Sequence, residues 1–374
     1  MKIADVETII LRQASVDESR ADGGQDTIVI RVRTDDGLIG VGEVDSSPEV
    51  VAAAIHAPKS NAVVQGLRGL ILGEDALDRA TLWDRMFRGS IYMGRRGVVM
   101  HAMSGIDIAL WDIAGQAAGL PIASMLGSEP RTKIRTYASI LMEDTPERVA
   151  ERVSDLRQQG FTACKLGWGP LGQSRDHDVL LAAAAREAAG ADMDLMLDAG
   201  YGYGTSVTDA VFVAEGLAEL GFRWLEEPFL PDELGAYAEL TRQSPLPVAM
   251  GEQSTARWDF ELLASMRAAN VFQPDLARCG GITEFLLIND IAAKHDIWVV
   301  PHAWKTGILK AASLHVNAVI GGERLQEWCV EANPLTLDLV EPHLLVEDGF
   351  AVVPTSPGLG IQLNQELMDA LRTS

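Results

Sequence analysis

Between Asp194 and Glu252 three apolar runs each end on an acid: Leu195-Met196-Leu197-Asp198, Arg223-Trp224-Leu225-Glu226-Glu227-Pro228 and Pro247-Val248-Ala249-Met250-Gly251-Glu252. Each run is too short for a helix and reads as a strand covered on both faces, the pattern of an all-parallel sheet. In a closed barrel of such strands the C-terminal ends converge on one mouth. Three carboxylates gathered there repel one another unless positive charge lies between them. A hard divalent cation with oxygen ligands meets that need.

The rest of the chain supplies the barrel and something before it. Residues 6–11 alternate as a strand, Gln13 to Asp26 is a polar loop, and Ile28 to Arg33 and Leu38 to Val44 flank the turn Asp35-Asp36-Gly37 as a hairpin. Helical stretches follow at Glu49 to Gly66 (broken at Pro58), Ala76 to Arg88 and Val98 to Gly119, giving an α+β domain. From Ile134 strands and helices alternate, with strands beginning near Ile134, Ala163, Leu195, Arg223, Pro247, Val271, Trp298 and Leu325. The marked ends Asp198, Glu226, Glu252, Asp275 and His302 are separated by 28, 26, 23 and 27 residues. A βα unit of a closed barrel takes about 30 residues. The expected division is a capping domain at 1–125, a barrel at 126–340 and a C-terminal segment at 341–374 that packs back on the first domain.

A formal net charge of -22 argues against nucleic-acid and membrane-surface partners. No apolar signal core opens the chain and no uninterrupted run approaches the ~20 apolar residues of a membrane span, so a cytoplasmic protein is expected. Cys164, Cys279 and Cys329 lack paired spacing, which predicts buried thiols rather than disulfides or a zinc site.

The strand ends bring Lys165, Asp198, Glu226, Glu252, Asp275, His302 and Glu327 to the mouth. A single acid at a strand end is commonly the N-cap of the next helix; three on consecutive strands point instead to a metal. A carboxylate on one nitrogen of His302 fixes its tautomer and makes the other nitrogen a better base, and Asp275 stands on the neighbouring strand. Lys165, ending an apolar strand, is expected to face the mouth and favour an anionic ligand. The run Gly167-Trp168-Gly169-Pro170-Leu171-Gly172 matches a dinucleotide fingerprint only weakly, since Pro170 removes a backbone donor.

These residues carry a family resemblance. The runs Met103-Ser104-Gly105-Ile106-Asp107-Ile108-Ala109-Leu110-Trp111-Asp112, Trp224-Leu225-Glu226-Glu227-Pro228, Gly251-Glu252, Gln273-Pro274-Asp275 with Gly280-Gly281, Pro301-His302 and Pro357-Gly358-Leu359-Gly360 resemble the mandelate racemase-like group of the enolase superfamily over nearly the full length. The resemblance implies an α/β fold, a modified TIM barrel (β/α)7β under an N-terminal α+β capping domain. It implies Mg²⁺ held by Asp198, Glu226 and Glu252, a general-base dyad of His302 and Asp275, and Glu327 (or Glu331) hydrogen-bonding the substrate oxygen opposite the metal. Lys165 would share the negative charge that develops when the proton beside a carboxylate is removed.

Two departures from the group's pattern matter. Racemases of this group carry a second lysine two positions after the first, where this chain has Gly167; a site with one base suits β-elimination better than racemisation. Dehydration of a sugar acid to a 2-keto-3-deoxy acid is therefore the leading expectation. The stretch Pro301-His302-Ala303-Trp304-Lys305-Thr306-Gly307 also resembles galactarolactone cycloisomerases, which keeps lactone cycloisomerisation as the alternative. The second departure is Asp198-Ala199-Gly200, where the third residue is often asparagine. Arg20, Trp168, Tyr201 and Lys305 are candidate substrate contacts, and Arg95-Arg96 could reach in from the cap. The partner expected is a small carboxylate or its lactone, in a homo-oligomer. A catalytically inactive sugar-acid binder is the remaining reading, disfavoured because binding alone does not need a paired Asp and His.

Overall fold

In the computed structural model, which describes residues 1–322, 325–331 and 333–373, the alternating N-terminal segments form an antiparallel meander of β1 (Ile3–Arg12), β2 (Asp26–Thr34) and β3 (Ile39–Val44). Ile28, Ile30 and Val32 are fully buried among cap helices, as period-two alternation requires. Helices α1 (Pro48–His56), α2 (Leu67–Ile71), α3 (Arg79–Gly89), α4 (Ile91–Gly94), α5 (Val98–Ala118) and α6 (Ile122–Leu126) follow. The break expected at Pro58 falls just before it, at His56, because Pro58 pushes Ala57 out of helical geometry; the helix expected to run on to Gly66 does not form, and the Asn61–Val64 bridge closes a turn there instead. Gly40 and Gly42 let α5 lie directly on β3: a Cβ at either would fall 2.0 Å from the carbonyl oxygen of Ala109 or Gly105.

Among the described residues, α5 alone is long and apolar enough to cross a membrane, yet 89% of that stretch is buried and it is the core helix of the cap. Two acids inside it fasten the cap to the rest of the chain. Asp107 accepts from the backbone N (2.9 Å) and Oγ1 (2.6 Å) of Thr283, and Asp112 accepts from the backbone N–H groups of Val41 (3.0 Å) and Leu359 (2.9 Å). Burial raises their pKa values to about 7 and about 6, respectively.

The barrel strands are β4 (Lys133–Leu141), β5 (Ala163–Gly167), β6 (Asp194–Asp198), β7 (Leu225–Glu226), β8 (Val248–Met250), β9 (Val271–Phe272), β10 (Trp298–Val299) and β11 (Leu325–Cys329). The intervening helices are α7 (Pro146–Gln158), α8 (Arg175–Ala189), α9 (Val207–Glu219), α10 (Leu234–Gln243), α11 (Ala256–Met266), α12 (Gly281–Lys294) and α13 (Gly307–Asn317). Strands β4 to β10 pair in parallel and in order, and β11 returns to pair with β4, which makes a (β/α)7β barrel. Tyr137, Ala163, Met196, Trp224, Ala249, Val271, Val300 and Leu325 fill its interior as a separate apolar cluster. On several strands a residue two positions further along is a polar site candidate: Ser139, Lys165, Asp198, Glu226, His302 and Glu327. A side-chain period of two carries each from the apolar floor to the mouth.

The last segment, α14 (Pro334–Asp338), β12 (Val340–Glu341), β13 (Val346–Glu347), β14 (Phe350–Val352), β15 (Gln362–Leu363) and α15 (Gln365–Leu371), touches both bodies. Strand β14 pairs with barrel strand β4, while Arg31 of the cap donates to Gln365. Cys164, Cys279 and Cys329 are free and buried.

Candidate active site

Asp198, Glu226 and Glu252 end consecutive strands or the turn just beyond, and all three are buried. One carboxylate oxygen from each lies within 4.8 Å of the other two. Glu226 is the most constrained, accepting from Trp224 Nε1 (2.9 Å), Gln273 Nε2 (2.7 Å) and Lys165 Nζ. Lys165 is 2.9 Å from Glu327 and 3.8 Å from Asp198. Burial opposes the lysine's charge, but Glu226 and Glu327 outweigh it and hold the ammonium protonated. One lysine cannot neutralise four acids. Glu327 is held at a pKa of about 2, its burial outweighed by Lys165 and His302. Asp198 and Glu226 stay above their ordinary range, because burial and neighbouring carboxylates outweigh the same lysine. Clustered acids that resist ionising together without a further positive charge, on hard oxygen donors, fit a divalent cation.

His302 Nδ1 lies 2.5 Å from Asp275 Oδ2, and the other oxygen of Asp275 accepts from the backbone N–H of Ala277 (2.6 Å). The carboxylate is thereby fixed and assigns the Nδ1 proton, leaving Nε2 to face Glu252 at 3.3 Å. Burial disfavours the imidazolium, but Glu252, Glu327 and Asp275 together raise its pKa well above the usual value.

A cavity of about 310 Å³ opens over these groups, lined in part by Lys165, Trp168, Asp198, Glu252, Arg278 and His302. Glu327 lies below this lining, its oxygens taken by Ser139 Oγ (2.7 Å), the backbone N–H of Ala303 (2.7 Å) and Lys165. Glu331 is held by Arg20 (3.0 Å) and Arg152 (3.6 Å). Arg20 is thus a tie between the cap loop and the barrel and is not on the cavity lining, whereas Ala21 and Gly23 of the same loop are. Lys305 donates to the carbonyls of Gly23 and Asp26, pinning that loop from below. Trp168 does line the cavity. Tyr201 packs edge-on against it, with ring centroids 5.3 Å apart. Gly200 makes room for this pair, since a Cβ there would meet the Trp168 ring at 2.8 Å. Arg96 pairs with Asp259 (3.0 Å) outside this cavity.

Sequence reasoning missed Asp45, Gln253, Arg278 and Trp304, all on the lining. The available signal was Arg278, a cation three residues past Asp275 on the same strand-end loop; Asp45 comes from the cap and only folding brings it there.

Gly167 also lines the cavity. A Cβ there would fall 2.7 Å from the Asp198 Cβ and 3.0 Å from its Oδ2. Gly167→Lys is therefore expected to displace Asp198 and weaken cation binding about tenfold or more, as loss of a supporting position at a metal site does, rather than to add a second base. Magnesium titration by calorimetry checks this; unchanged affinity together with new racemisation of a substrate would contradict it.

A capped parallel barrel with a buried three-carboxylate site and an Asp–His pair at its mouth defines a class of barrel enzymes. Residues 148–367 match the enolase C-terminal domain-like family, and residues 14–127 match the mandelate racemase / muconate lactonizing enzyme N-terminal domain. The chain belongs to the enolase superfamily, in its mandelate racemase and muconate lactonizing subgroup. It is 34% identical to the D-galactarolactone cycloisomerase of Agrobacterium fabrum, with 92% of this chain and 91% of that one covered. It is 33% identical to the D-galactonate dehydratase of Verminephrobacter eiseniae, covering 91% and 89%. The structure is also similar to the 3,6-anhydro-D-galactonate cycloisomerase of Zobellia galactanivorans, with a TM-score of 0.90, 28% identity and all of both chains covered.

Proposed function

We propose that this enzyme removes the proton beside the carboxylate of a sugar acid and eliminates water, giving a 2-keto-3-deoxy acid. The observation that carries this reading is the single oriented base: His302 is set by Asp275 at 2.5 Å, and the position of a second base is Gly167. Asp198, Glu226 and Glu252 would hold Mg²⁺, which when bound supplies positive charge for the extra charge that builds on the substrate carboxylate. Lys165 adds a fixed cation on the same side. His302 Nε2 takes the proton from carbon, the bond from the neighbouring carbon to its hydroxyl breaks, and the same proton leaves with hydroxide as water. The resulting enol tautomerises to the ketone. Trp168 and the loop at Ala21 and Gly23 narrow the mouth and limit water.

Lactone cycloisomerisation is the second reading, favoured by the 34% identity to a D-galactarolactone cycloisomerase. It shares the proton-abstraction step and differs in the leaving group, a ring oxygen instead of hydroxide. The same relatives suggest a small carboxylate or lactone as partner. Proton NMR in D₂O with Mg²⁺ and a panel of aldonic and aldaric acids and their lactones separates the readings. A 2-keto-3-deoxy product supports dehydration, consumption of a lactone alone supports cycloisomerisation, and neither turnover nor exchange in folded, metal-loaded protein overturns both.

A further inference from the structure

Arg278 stands just past β9, and Lys165 is on β5, four strands away in an eight-stranded barrel; the two therefore approach the cavity from opposite walls. Lys165 is spent on Glu226, Glu327 and Asp198. Arg278 is only partly spent. Its Nε donates to Asp45 Oδ2 (3.0 Å) and its Nη1 to Gln253 Oε1 (2.6 Å), while Nη2 bonds to no described residue. The side chain is 16% exposed, and Asp45 is in turn 3.5 Å from Lys305, so the cap and the barrel together fix the guanidinium plane. Burial opposes its charge, yet Asp45, Glu252 and Asp275 keep it cationic. An arginine held at two nitrogens with a third left open is an oriented donor for an anionic group, and little side-chain freedom is lost when it binds.

We infer that Arg278 receives a second carboxylate of the substrate, across the cavity from Lys165, and that the preferred substrates are dicarboxylates, aldaric acids or their monolactones, over monocarboxylic aldonic acids. This rests on the sugar-acid reading and narrows it. A terminal CH₂OH offers Nη2 only a neutral acceptor, and a charge-assisted bond exceeds a neutral one by an amount worth about tenfold or more in affinity.

The test compares two acids of one stereochemical series that differ only in a terminal carboxylate or CH₂OH, galactarate and galactonate being such a pair. Binding by calorimetry and steady-state kinetics are measured with magnesium-loaded protein. Wild type is expected to bind the diacid about tenfold or more tightly than the monoacid. Arg278→Gln should close most of that gap, weakening the diacid about tenfold more than the monoacid. Arg278→Lys keeps the charge without the fork and should give an intermediate gap, and it carries the test if the glutamine variant does not fold. Equal binding of the two acids by wild type, tighter binding of the monoacid, or equal weakening of both in Arg278→Gln would overturn the assignment. Turnover without diacid preference would leave the sugar-acid reading standing and this inference refuted. A diacid preference lost in Arg278→Gln, with neither acid turned over, would do the reverse.

Discussion

His302→Asn is expected to lower kcat by about 10³-fold, the usual worth of a positioned general base, while magnesium still binds. The separation follows from geometry. His302 is not among the three clustered carboxylates, and it touches the cation site only through Glu252, 3.3 Å from Nε2. Asparagine keeps an N–H for Asp275 but presents no basic nitrogen to the cavity. Initial rates and magnesium titrations on the same preparation check this. Retention of most of the wild-type rate would remove His302 from the proton-transfer step and leave the one-base mechanism without its base.

Lys165→Met is expected to produce the largest loss of stability, about 3–5 kcal/mol, because it breaks a buried ion cluster on one side only. The ammonium is 3% exposed and serves Glu226, Glu327 and Asp198 together. Adding Mg²⁺ should recover part of the loss, since a divalent cation at Asp198, Glu226 and Glu252 replaces some of the missing charge but gives Glu327 no new partner. The pH signature is distinct. In the wild type, Glu327 has its pKa depressed from 4.5 to about 2. Its contribution to stability is therefore present above pH 4.5 and lost as the pH falls towards 2. Without Lys165 the depression shrinks, and the acid-side loss in that window should shrink with it. Urea unfolding with and without Mg²⁺, repeated across acidic pH, measures both effects. A destabilisation below about 1 kcal/mol would place Lys165 in the range of a solvent-screened surface pair and contradict the buried-cluster account.

Much of the architecture was legible because the signals that specify it are local. Apolar runs of strand length at regular spacing, each closed by an acid or a histidine, locate the barrel strands. The period of two along each strand then places Asp198, Glu226 and Glu327 above an apolar floor. The Asp275–His302 pairing was legible for the same reason, since neighbouring parallel strands end side by side. The break at Pro58 was legible for the same local reason, whereas the helix expected beyond it, to Gly66, gives way to a turn closed by the Asn61–Val64 bridge.

The sequence by itself determined the capped barrel, the three clustered acids and the Asp–His pair, because each depends on periodicity and strand order that a chain of L-residues cannot evade. Only the tertiary structure decided which groups line the cavity. It put Glu327 beneath the lining with its oxygens already occupied, spent Arg20 and Lys305 on holding the cap loop, and brought Asp45 from the cap to Arg278 across 233 residues of chain. A side chain's partners are set by distances between elements far apart in sequence, and no local pattern encodes which donors are used up and which, like Nη2 of Arg278, meet no described residue.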